Sequence, residues 1–474
     1  MLEKTTINGK EYRLESDSCG EKNIPVDAYY GVQSLRAKEN FPITGQLLHP
    51  EFIRSLAAVK KACAIANCEA DQMTEEIKNA IVEASDEILE GKLHDAFIVD
   101  PIQGGAGTSM NMNANEVIAN RAVEILGGEK GDYSIVHPND HVNYGQSTND
   151  VIPTAGKLTV LRLLPALYKE FDRLYDALMM KAGEFDDVIK MGRTQMEDAI
   201  PVRLGQEFHA YAQAVKRAKG RIEVAANEML TINMGGTAIG TGLNADKTYF
   251  SRICPVFADV TGLAFVQGDD LIDCTQNIDP FAAVSASLKT AAITLSKISN
   301  DLRLMGSGPR CGFGEIHLPA KQNGSSIMPG KVNPVIPEVM SQVCFRVIGN
   351  DVAITMAAEA GQLELNAFEP VTFYALFESI TTLTGGISTL TDNCVAGLIA
   401  NKEHCEELVE NSVGIITAIC PYVGYAKAAH VAKKALKTGD SVRKLTIEEG
   451  LLTEEELNHI LQPANMTEPG IAEK

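Results

Sequence analysis

The stretch LFESITTLTGGISTLTDNC, residues 376–394, decides the fold. Its apolar residues recur at alternating spacings of four and three, which places them on one face of a helix. They are Leu376, Ile380, Leu383, Ile387, Leu390 and Cys394. Such a heptad-like seam is typical of near-parallel helices packed side by side. Gly385 and Gly386 lie inside the seam, where we expect them to permit close backbone approach.

The same helical spacing appears on both sides of this stretch. It recurs at Leu158, Leu161, Leu164, Leu167, Phe171, Leu174 and Leu178, and again at Val284, Leu288, Leu295, Ile298 and Leu302. Residues 335–352 are apolar on more than one face, so that helix must be buried from several sides. One subunit does not supply enough helices for that burial, and we therefore expect a homo-oligomer. Near the C-terminus, Gly439 is a predicted helix C-cap, and Thr453 with Glu456 forms a predicted capping box.

Strand signals are sparse, and the predicted fold class is all-α. We expect the first 45 residues to be irregular. The predicted domains are an N-terminal mixed helical domain (1–142), a central long-helix bundle (143–397) and a small C-terminal helical domain (398–474).

Composition excludes several classes of protein. With 42 Lys and Arg against 62 Asp and Glu, the formal charge of −20 disfavours binding to nucleic acid or anionic membranes. The ten cysteines contain no CxxC pair, which favours reduced thiols over a zinc site. The N-terminal residues lack the apolar region of an export signal, and no apolar run is long enough to span a membrane. We expect a cytoplasmic protein.

Four polar segments interrupt the helices: GGAGTSMNMNANE (104–116), GQSTND (145–150), GRTQMEDAIP (192–201) and GSSIMPGKVNPVIPE (324–338). Together they supply hydroxyls, amides, backbone N–H groups and one ammonium, which are the groups that bind carboxylates. The candidate residues are Thr108, Ser147, Thr148, Asn149, Thr194, Gln195, Ser325, Ser326, Lys331 and Asn333. Taken singly, each of these residues could have a purely structural role, because Ser, Thr and Asn cap helices, and a lone amide or lysine is commonly a surface group.

The last segment is similar, at every defined position, to the GSSxMPxKxNP signature loop of the aspartase/fumarase superfamily. The other three segments, together with DAYYGVQSLRAKENF (27–41) and GTAIGTGLN (236–244), extend the resemblance over nearly the whole chain. The resemblance implies a three-domain, all-α subunit whose long helices join a twenty-helix bundle in a homotetramer. It also implies active sites formed where three subunits meet.

Within the superfamily, fumarases typically read YWG, SGTQSNMN, GRTH and NPTQ at four matched places. This chain reads YYG (29–31), AGTSMNMN (106–113), GRTQ (192–195) and NPVIPE (333–338). These differences favour the ammonia-lyase branch, whose reaction is the reversible elimination of ammonia from L-aspartate to give fumarate through an aci-carboxylate intermediate.

The resemblance implies a role for each candidate residue. Ser325 matches the general base on a mobile loop. The groups that bind the β-carboxylate of the substrate are matched by Thr108, Ser147, Thr148 and Ser326. The groups that bind the α-carboxylate are matched by Thr194, Lys331 and Asn333. Asn149 falls near the amino group, and Gln195 stands where fumarases have a histidine. No cofactor or metal is expected, since no compact carboxylate cluster marks a site for the divalent cation that activates some members. Residues 137–140 resemble a second anion-binding segment of fumarases, and Arg36 lies in a matched segment without an assigned role.

Three alternatives stay open on the sequence. The first is a fumarate hydratase of the same fold, which eliminates water instead of ammonia. The second is an ammonia-lyase for another substrate, such as a branched aspartate. The third is a catalytically silent structural homologue, which the intact hydroxyls and lysine of the four segments disfavour.

Overall fold

The computed structural model describes residues 4–471, and most of them are helical. The α-helices are α1 (Val32–Asn40), α2 (Pro50–Glu69), α3 (Glu75–Leu89), α4 (Thr108–Ile125), α5 (Thr148–Glu184), α6 (Leu204–Ala226), α7 (Lys247–Thr261), α8 (Leu271–Gln276), α9 (Asp279–Met305), α10 (Val335–Glu359), α11 (Glu369–Leu390), α12 (Lys402–Asn411), α13 (Ile416–Val423), α14 (Tyr425–Thr438), α15 (Val442–Glu448), α16 (Glu454–Ile460) and α17 (Pro463–Thr467). The predicted all-α class is confirmed. No helix within residues 4–471 combines the length and apolarity that a membrane span requires.

The chain folds as two compact units, each built from separate segments. Unit 1 comprises the residues up to Leu167, Gly220–Thr290 and Arg346–Thr382. Unit 2 comprises Tyr168–Lys219, Ala291–Phe345 and the residues from Leu383 onward. The division into three domains at residues 142 and 397 stays a prediction.

In unit 1 the helix α2 packs against α3 and α7, and α3 packs against α4. Val59 of α2, Ile81 of α3 and Val117 of α4 are fully buried. This core holds in place the N-terminal end of α4 and the start of α5, where the first two polar segments lie.

The expectation of irregular structure in the first 45 residues is wrong. Strands β1 (Lys4–Ile7), β2 (Lys10–Asp17) and β3 (Gly20–Pro25) form an antiparallel sheet. The buried positions of β2 are Arg13 and Glu15, whose side chains pair at 2.8 Å, and Arg13 also donates to four backbone carbonyls. Because charged residues occupy the buried face, the strand lacks the apolar alternation by which strands are recognised.

Unit 2 contains a hairpin that packs on the C-terminal helices. Strand β4 (Ile189–Thr194) pairs antiparallel with β5 (Glu197–Arg203). Ile189 and Met191 share a buried cluster with Val409, Ile419 and Leu457. This contact fixes the base of the hairpin that carries the third polar segment. The remaining strands are short: β6 (Thr231–Ile232) is parallel to β7 (Val266–Gln267), and β8 (Ile316–His317) is antiparallel to β9 (Ile399–Ala400).

The quoted seam is buried as predicted, with every one of its apolar residues at most 1% exposed. Of its two glycines, Gly386 permits close approach, because a Cβ there would lie 3.1 Å from Sδ of Met340 on α10. A Cβ at Gly385 would contact no atom of the described residues within 4 Å, so close approach at that glycine stays a prediction. The C-cap at Gly439 and the capping box at Thr453 are confirmed.

Candidate active site

Thr108 begins α4 directly after a loop of small residues. Gly105, Ala106 and Gly107 have φ angles of 87°, 54° and 85°, a conformation that glycine adopts without strain. A side chain is excluded at Gly107, because its Cβ would lie 2.9 Å from Cγ2 of Ile152. The loop therefore leaves the Thr108 hydroxyl exposed at the positive end of an 18-residue helix, an arrangement suited to a carboxylate.

The second segment forms the turn that begins α5. Ser147 Oγ accepts a hydrogen bond from the backbone N–H of Asn149 at 3.2 Å. Thr148 Oγ1 accepts one from Nδ2 of Asn111 at 3.4 Å. Because Asn111 lies on α4, this bond joins the helix of Thr108 to the turn. The structure thus brings the first two polar segments together within unit 1.

A buried lysine on α2 stabilises the residues that precede this turn. Lys60 Nζ donates to Asn143 Oδ1 at 2.8 Å and to Gln146 Oε1 at 2.9 Å. Asn143 Oδ1 also accepts from the side-chain amides of Asn111 and Asn115 on α4. Burial lowers the pKa of Lys60 to about 7. Lys60 therefore joins α2 to the residues preceding the turn and, through Asn143, to α4.

Thr194 and Gln195 lie at the exposed tip of the β4–β5 hairpin. Thr194 pairs with Glu197, which leaves Gln195 and Met196 as a two-residue turn. Both turn residues have positive φ angles, 55° and 68°. Such turns normally hold Asn-Gly, so this turn is strained, as functional positions commonly are.

The base of the hairpin is held by a buried network of charges. Glu315, fully buried, accepts a hydrogen bond from Arg193 at 2.7 Å and lies 3.3 Å from Lys190 Nζ. Lys190 also pairs with Glu207 at 3.1 Å, and burial raises the pKa of Glu207. The two positive charges of Lys190 and Arg193 thus face the two carboxyl groups of Glu207 and Glu315. The network joins the hairpin to the segment that leads into the fourth polar segment.

The signature loop closes on itself. Gly324 N donates to the carbonyl of Lys331 at 2.9 Å, and Asn333 Nδ2 donates to the carbonyl of Gly324 at 2.8 Å. A Cβ at Gly324 would lie 2.5 Å from the Lys331 carbonyl oxygen, so only glycine fits. Lys331 and Ser326 are exposed on this loop.

Ser325 lies inside the loop with its hydroxyl oxygen facing two donors. Its Oγ accepts hydrogen bonds from the backbone N–H groups of Ile327 at 3.2 Å and Met328 at 3.0 Å. Donors directed at an oxygen stabilise its anionic form, which lowers the free energy needed to deprotonate it. The geometry is therefore suited to a serine alkoxide.

The candidate residues divide between the two units. Unit 1 holds Thr108, Ser147, Thr148 and Asn149, and unit 2 holds Thr194, Gln195, Ser325, Ser326, Lys331 and Asn333. The convergence of the two sets on one substrate stays a prediction. Sequence reasoning missed Lys60, Glu315 and Asp150, although the pattern Ser147-x-x-Asp150 is the signal of a capping box.

Two further expectations concern ions. Among residues 4–471, no three His, Cys, Asp or Glu side chains are grouped so as to hold a metal, and the absence of a resident metal stays a prediction. Residues 137–139 of this segment line a cavity of about 560 Å³ in unit 1, together with Arg36 and Thr108. Arg36 pairs with Asp17 at 2.8 Å within that cavity.

The chain is similar to two known families and to several named enzymes. Residues 20–349 match a family described as Lyase, and residues 415–468 match one described as Fumarase C C-terminus. An aspartate ammonia-lyase from Bacillus subtilis is 56% identical over 99% of both chains. One from Helicobacter pylori is 52% identical over 96% of this chain and 98% of its own.

Solved structures show the same fold. The fumarate lyase:delta crystallin from Brucella melitensis bound to cobalt superimposes with a TM-score of 0.94, at 48% identity, over 97% of this chain and 100% of its own. The class II fumarase from Schistosoma mansoni has a TM-score of 0.93 at only 35% identity, over 97% and 99%. On the strength of identities near 50% over almost the full length, the chain belongs to the aspartate ammonia-lyase family of the aspartase/fumarase superfamily.

Proposed function

We propose that this enzyme catalyses the reversible elimination of ammonia from L-aspartate to give fumarate. The observation that carries the proposal is the signature loop, which is complete and holds Ser325 between two N–H donors. The similarity to proteins named aspartate ammonia-lyase along 99% of the chain supports it.

In the proposed mechanism, Ser325 acts as an alkoxide and removes a proton from the carbon next to the β-carboxylate. The electron pair moves into that carboxylate as an aci-carboxylate. It then returns to form the double bond while the carbon–nitrogen bond breaks. Preorganised donors aimed at the developing charge contribute about 3–4 kcal/mol each. The hydroxyls of Thr108, Ser147, Thr148 and Ser326 are assigned to this task.

Other residues hold the rest of the substrate. Thr194, Lys331 and Asn333 bind the α-carboxylate, and Asn149 binds the amino group. Gln195 occupies the position of the fumarase histidine. Glutamine cannot change its charge near neutral pH. An ammonium group leaves as neutral ammonia without a proton donor, so a residue that does not titrate is sufficient.

The signature loop is proposed to open for substrate entry and to close over it. Its apolar residues Ile327, Met328 and Val332 are 84%, 48% and 51% exposed. Closure would remove these side chains from water and exclude water from the reacting atoms.

The enzyme is proposed to be a homotetramer with a shared twenty-helix bundle. Along α10, Phe345, Val352 and Met356 are 61%, 56% and 67% exposed at spacings of seven and four. An apolar stripe of this kind marks a protein interface. Partner subunits would complete each active site. We place the enzyme in the cytoplasm, where its ten free cysteines would stay reduced.

Ultraviolet absorbance of fumarate tests the activity directly. The enzyme should raise this absorbance with L-aspartate and lower it with fumarate plus ammonium. Loss of fumarate without ammonium would identify a fumarate hydratase instead. Turnover of a branched aspartate in preference to L-aspartate would identify another ammonia-lyase. No turnover of any of these would identify a silent homologue.

A further inference from the structure

Asp150 is a fully buried carboxylate at the third residue of α5. Its Oδ1 accepts a hydrogen bond from the backbone N–H of Ser147 at 2.9 Å, which ties the first turn of α5 to the residue that precedes the helix. This carboxylate therefore fixes the backbone that presents Ser147, Thr148 and Asn149.

The other oxygen of Asp150 binds a distant loop. Oδ2 accepts from the backbone N–H groups of Gly235 at 3.3 Å and Thr237 at 3.1 Å. We call residues 233–243, which contain both donors, the anchor loop. Burial raises the pKa of Asp150 to about 7, and its three N–H donors and Lys60 counter that rise.

The anchor loop is held in a strained conformation. Thr237 has a φ angle of 56°, which is unfavourable for a β-branched residue. Its hydroxyl donates to the carbonyl of Leu243 at 3.0 Å, so a second hydrogen bond holds Thr237 in addition to the one that its backbone N–H donates to Asp150. A strained backbone that is held by several hydrogen bonds is characteristic of functional positions.

The anchor loop determines how Asn149 faces the solvent. The side-chain amide of Asn233 donates to the Asn149 carbonyl at 2.9 Å, and Nδ2 of Asn149 donates to the Ala238 carbonyl at 2.7 Å. A carbonyl only accepts hydrogen bonds, so it must face the nitrogen of the Asn149 amide and not its oxygen. No described residue donates to the remaining atom, Oδ1 of Asn149. That oxygen is thus left as an acceptor.

We propose that Asp150 is a positioning residue and that, through the anchor loop, it orients Asn149 as an acceptor specific for the substrate's ammonium group. The proposal rests on the proposed function, which places Asn149 near the amino group. The ammonium group of L-aspartate presents three N–H donors, whereas the N-substituted amino group formed by addition of hydroxylamine, or the hydroxyl formed by addition of water, presents fewer. A fixed acceptor therefore favours ammonia over other nucleophiles in the reverse reaction.

Addition to fumarate tests the proposal, with ammonia and hydroxylamine as competing nucleophiles. Asp150→Asn replaces an accepting oxygen with an NH2 group that would face backbone N–H donors. We expect kcat/KM for ammonia to fall about tenfold, and the preference for ammonia over hydroxylamine to fall about fivefold. The KM for ammonia should rise more than kcat falls, because orientation of the nitrogen is affected and not the proton transfer.

Asp100→Asn is the matched control. Asp100 is also buried and also accepts from three backbone N–H groups, those of Thr44, Gly45 and Ile102, without contacting the anchor loop. It should lower the melting temperature by a similar amount and leave the nucleophile preference unchanged. An equal change of preference in this control would overturn the proposal.

Thr237→Gly covers the case in which Asp150→Asn fails to fold. Glycine adopts the φ angle without strain and keeps the N–H, but it removes the hydroxyl bond to Leu243. The loosened loop should also reduce the preference for ammonia, with little change in melting temperature. If the wild-type enzyme adds no ammonia, the proposed function fails. If it adds ammonia and the preference is unchanged in every variant that folds, the role of Asp150 and its loop is refuted.

Discussion

At the scale of single residues, the hydroxyl of Ser325 accepts two backbone N–H groups before any substrate is present. Replacing it with alanine removes the proposed base and leaves the loop's backbone ring intact. We expect Ser325→Ala to lower kcat by about 10²- to 10⁴-fold, the usual contribution of a general base. Steady-state kinetics with L-aspartate measures this.

The control for that substitution is Ser441→Ala. Ser441 also accepts a backbone N–H, that of Lys444 at 3.2 Å, at the start of α15. Its loss should cost about 1 kcal/mol of stability and leave kcat unchanged. A Ser325→Ala enzyme with wild-type kcat would remove Ser325 from the mechanism.

Glu116 predicts a pH dependence of stability. Burial raises the pKa of its carboxyl from 4.5 to about 7, although Ser34 and backbone N–H groups donate to it. The folded state therefore binds this proton more tightly than the unfolded state does. The resulting stabilisation, about 3 kcal/mol, is full below pH 4.5 and is lost as the pH rises through about 7.

Glu116→Gln keeps the shape of the neutral carboxyl and cannot titrate. We expect its melting temperature to change less than that of the wild type between pH 4.5 and 7. Glu454→Gln, on the exposed surface of α16, should preserve the wild-type profile. Identical profiles for Glu116→Gln and the wild type would show that the buried carboxyl does not titrate in this range.

The sequence alone offers Ser325, Lys331 and the hydroxyl residues as candidates, because they stand in short strings whose residue types carry the chemistry, and their roles stay predictions. It was not sufficient for Lys60 or Glu315. Lys60 acts through Asn143, which lies 83 residues further along the chain, and such a contact leaves no local pattern. The site's supporting groups become visible only when the fold brings them together.

At the scale of elements, the β4–β5 hairpin stores strain in its turn. Met196 has a φ angle of 68° where glycine is normally favoured. We expect Met196→Gly to stabilise the protein by about 0.5–1 kcal/mol, since glycine relieves the strained backbone. Thermal or urea unfolding measures the change.

Met180→Gly provides the opposite case. Met180 is 57% exposed within α5, where glycine costs about 1 kcal/mol of helix stability. Destabilisation by both substitutions would show that the turn at Gln195 and Met196 is not strained.

Periodicity was enough to predict the helices but not the strands. The seam from Leu376 to Cys394 is easily recognised, because its six regularly spaced residues are all apolar and buried. The buried positions of strand β2 hold Arg13 and Glu15 instead of apolar residues, and the β4–β5 turn lacks the Asn-Gly signal of a hairpin. Strand β2 was missed because its buried residues are charged and pair with each other, whereas the β4–β5 hairpin was missed because its turn contains no glycine.

At the scale of the whole molecule, the exposed stripe on α10 predicts an effect on assembly. Met356→Glu places a charge on that stripe, where burial in an interface would be costly. We expect the variant to shift from the proposed tetramer toward smaller species and to lose activity in parallel, because partner subunits would complete each proposed active site. Analytical ultracentrifugation with parallel assays measures both.

Leu436→Glu, on α14, is the matched control. Leu436 is 73% exposed, like Met356 at 67%, but lies on a helix with many lysines. It should leave assembly and activity unchanged. An unaltered tetramer in Met356→Glu would remove this stripe from the interface. Residues 335–352 predict a homo-oligomer, whereas the prediction of four subunits came only from the resemblance.

The connection between α9 and α10 carries Cys311 as well as Ser325, and Cys311 is exposed. The other exposed cysteine within residues 4–471 is Cys19, and the remaining eight are buried or half-buried. A Cys19→Ser variant would therefore direct a maleimide fluorophore to Cys311 with no foreign attachment point. Stopped-flow emission from that dye would give a real-time record of the connection during turnover, and so would time product release separately from bond breaking.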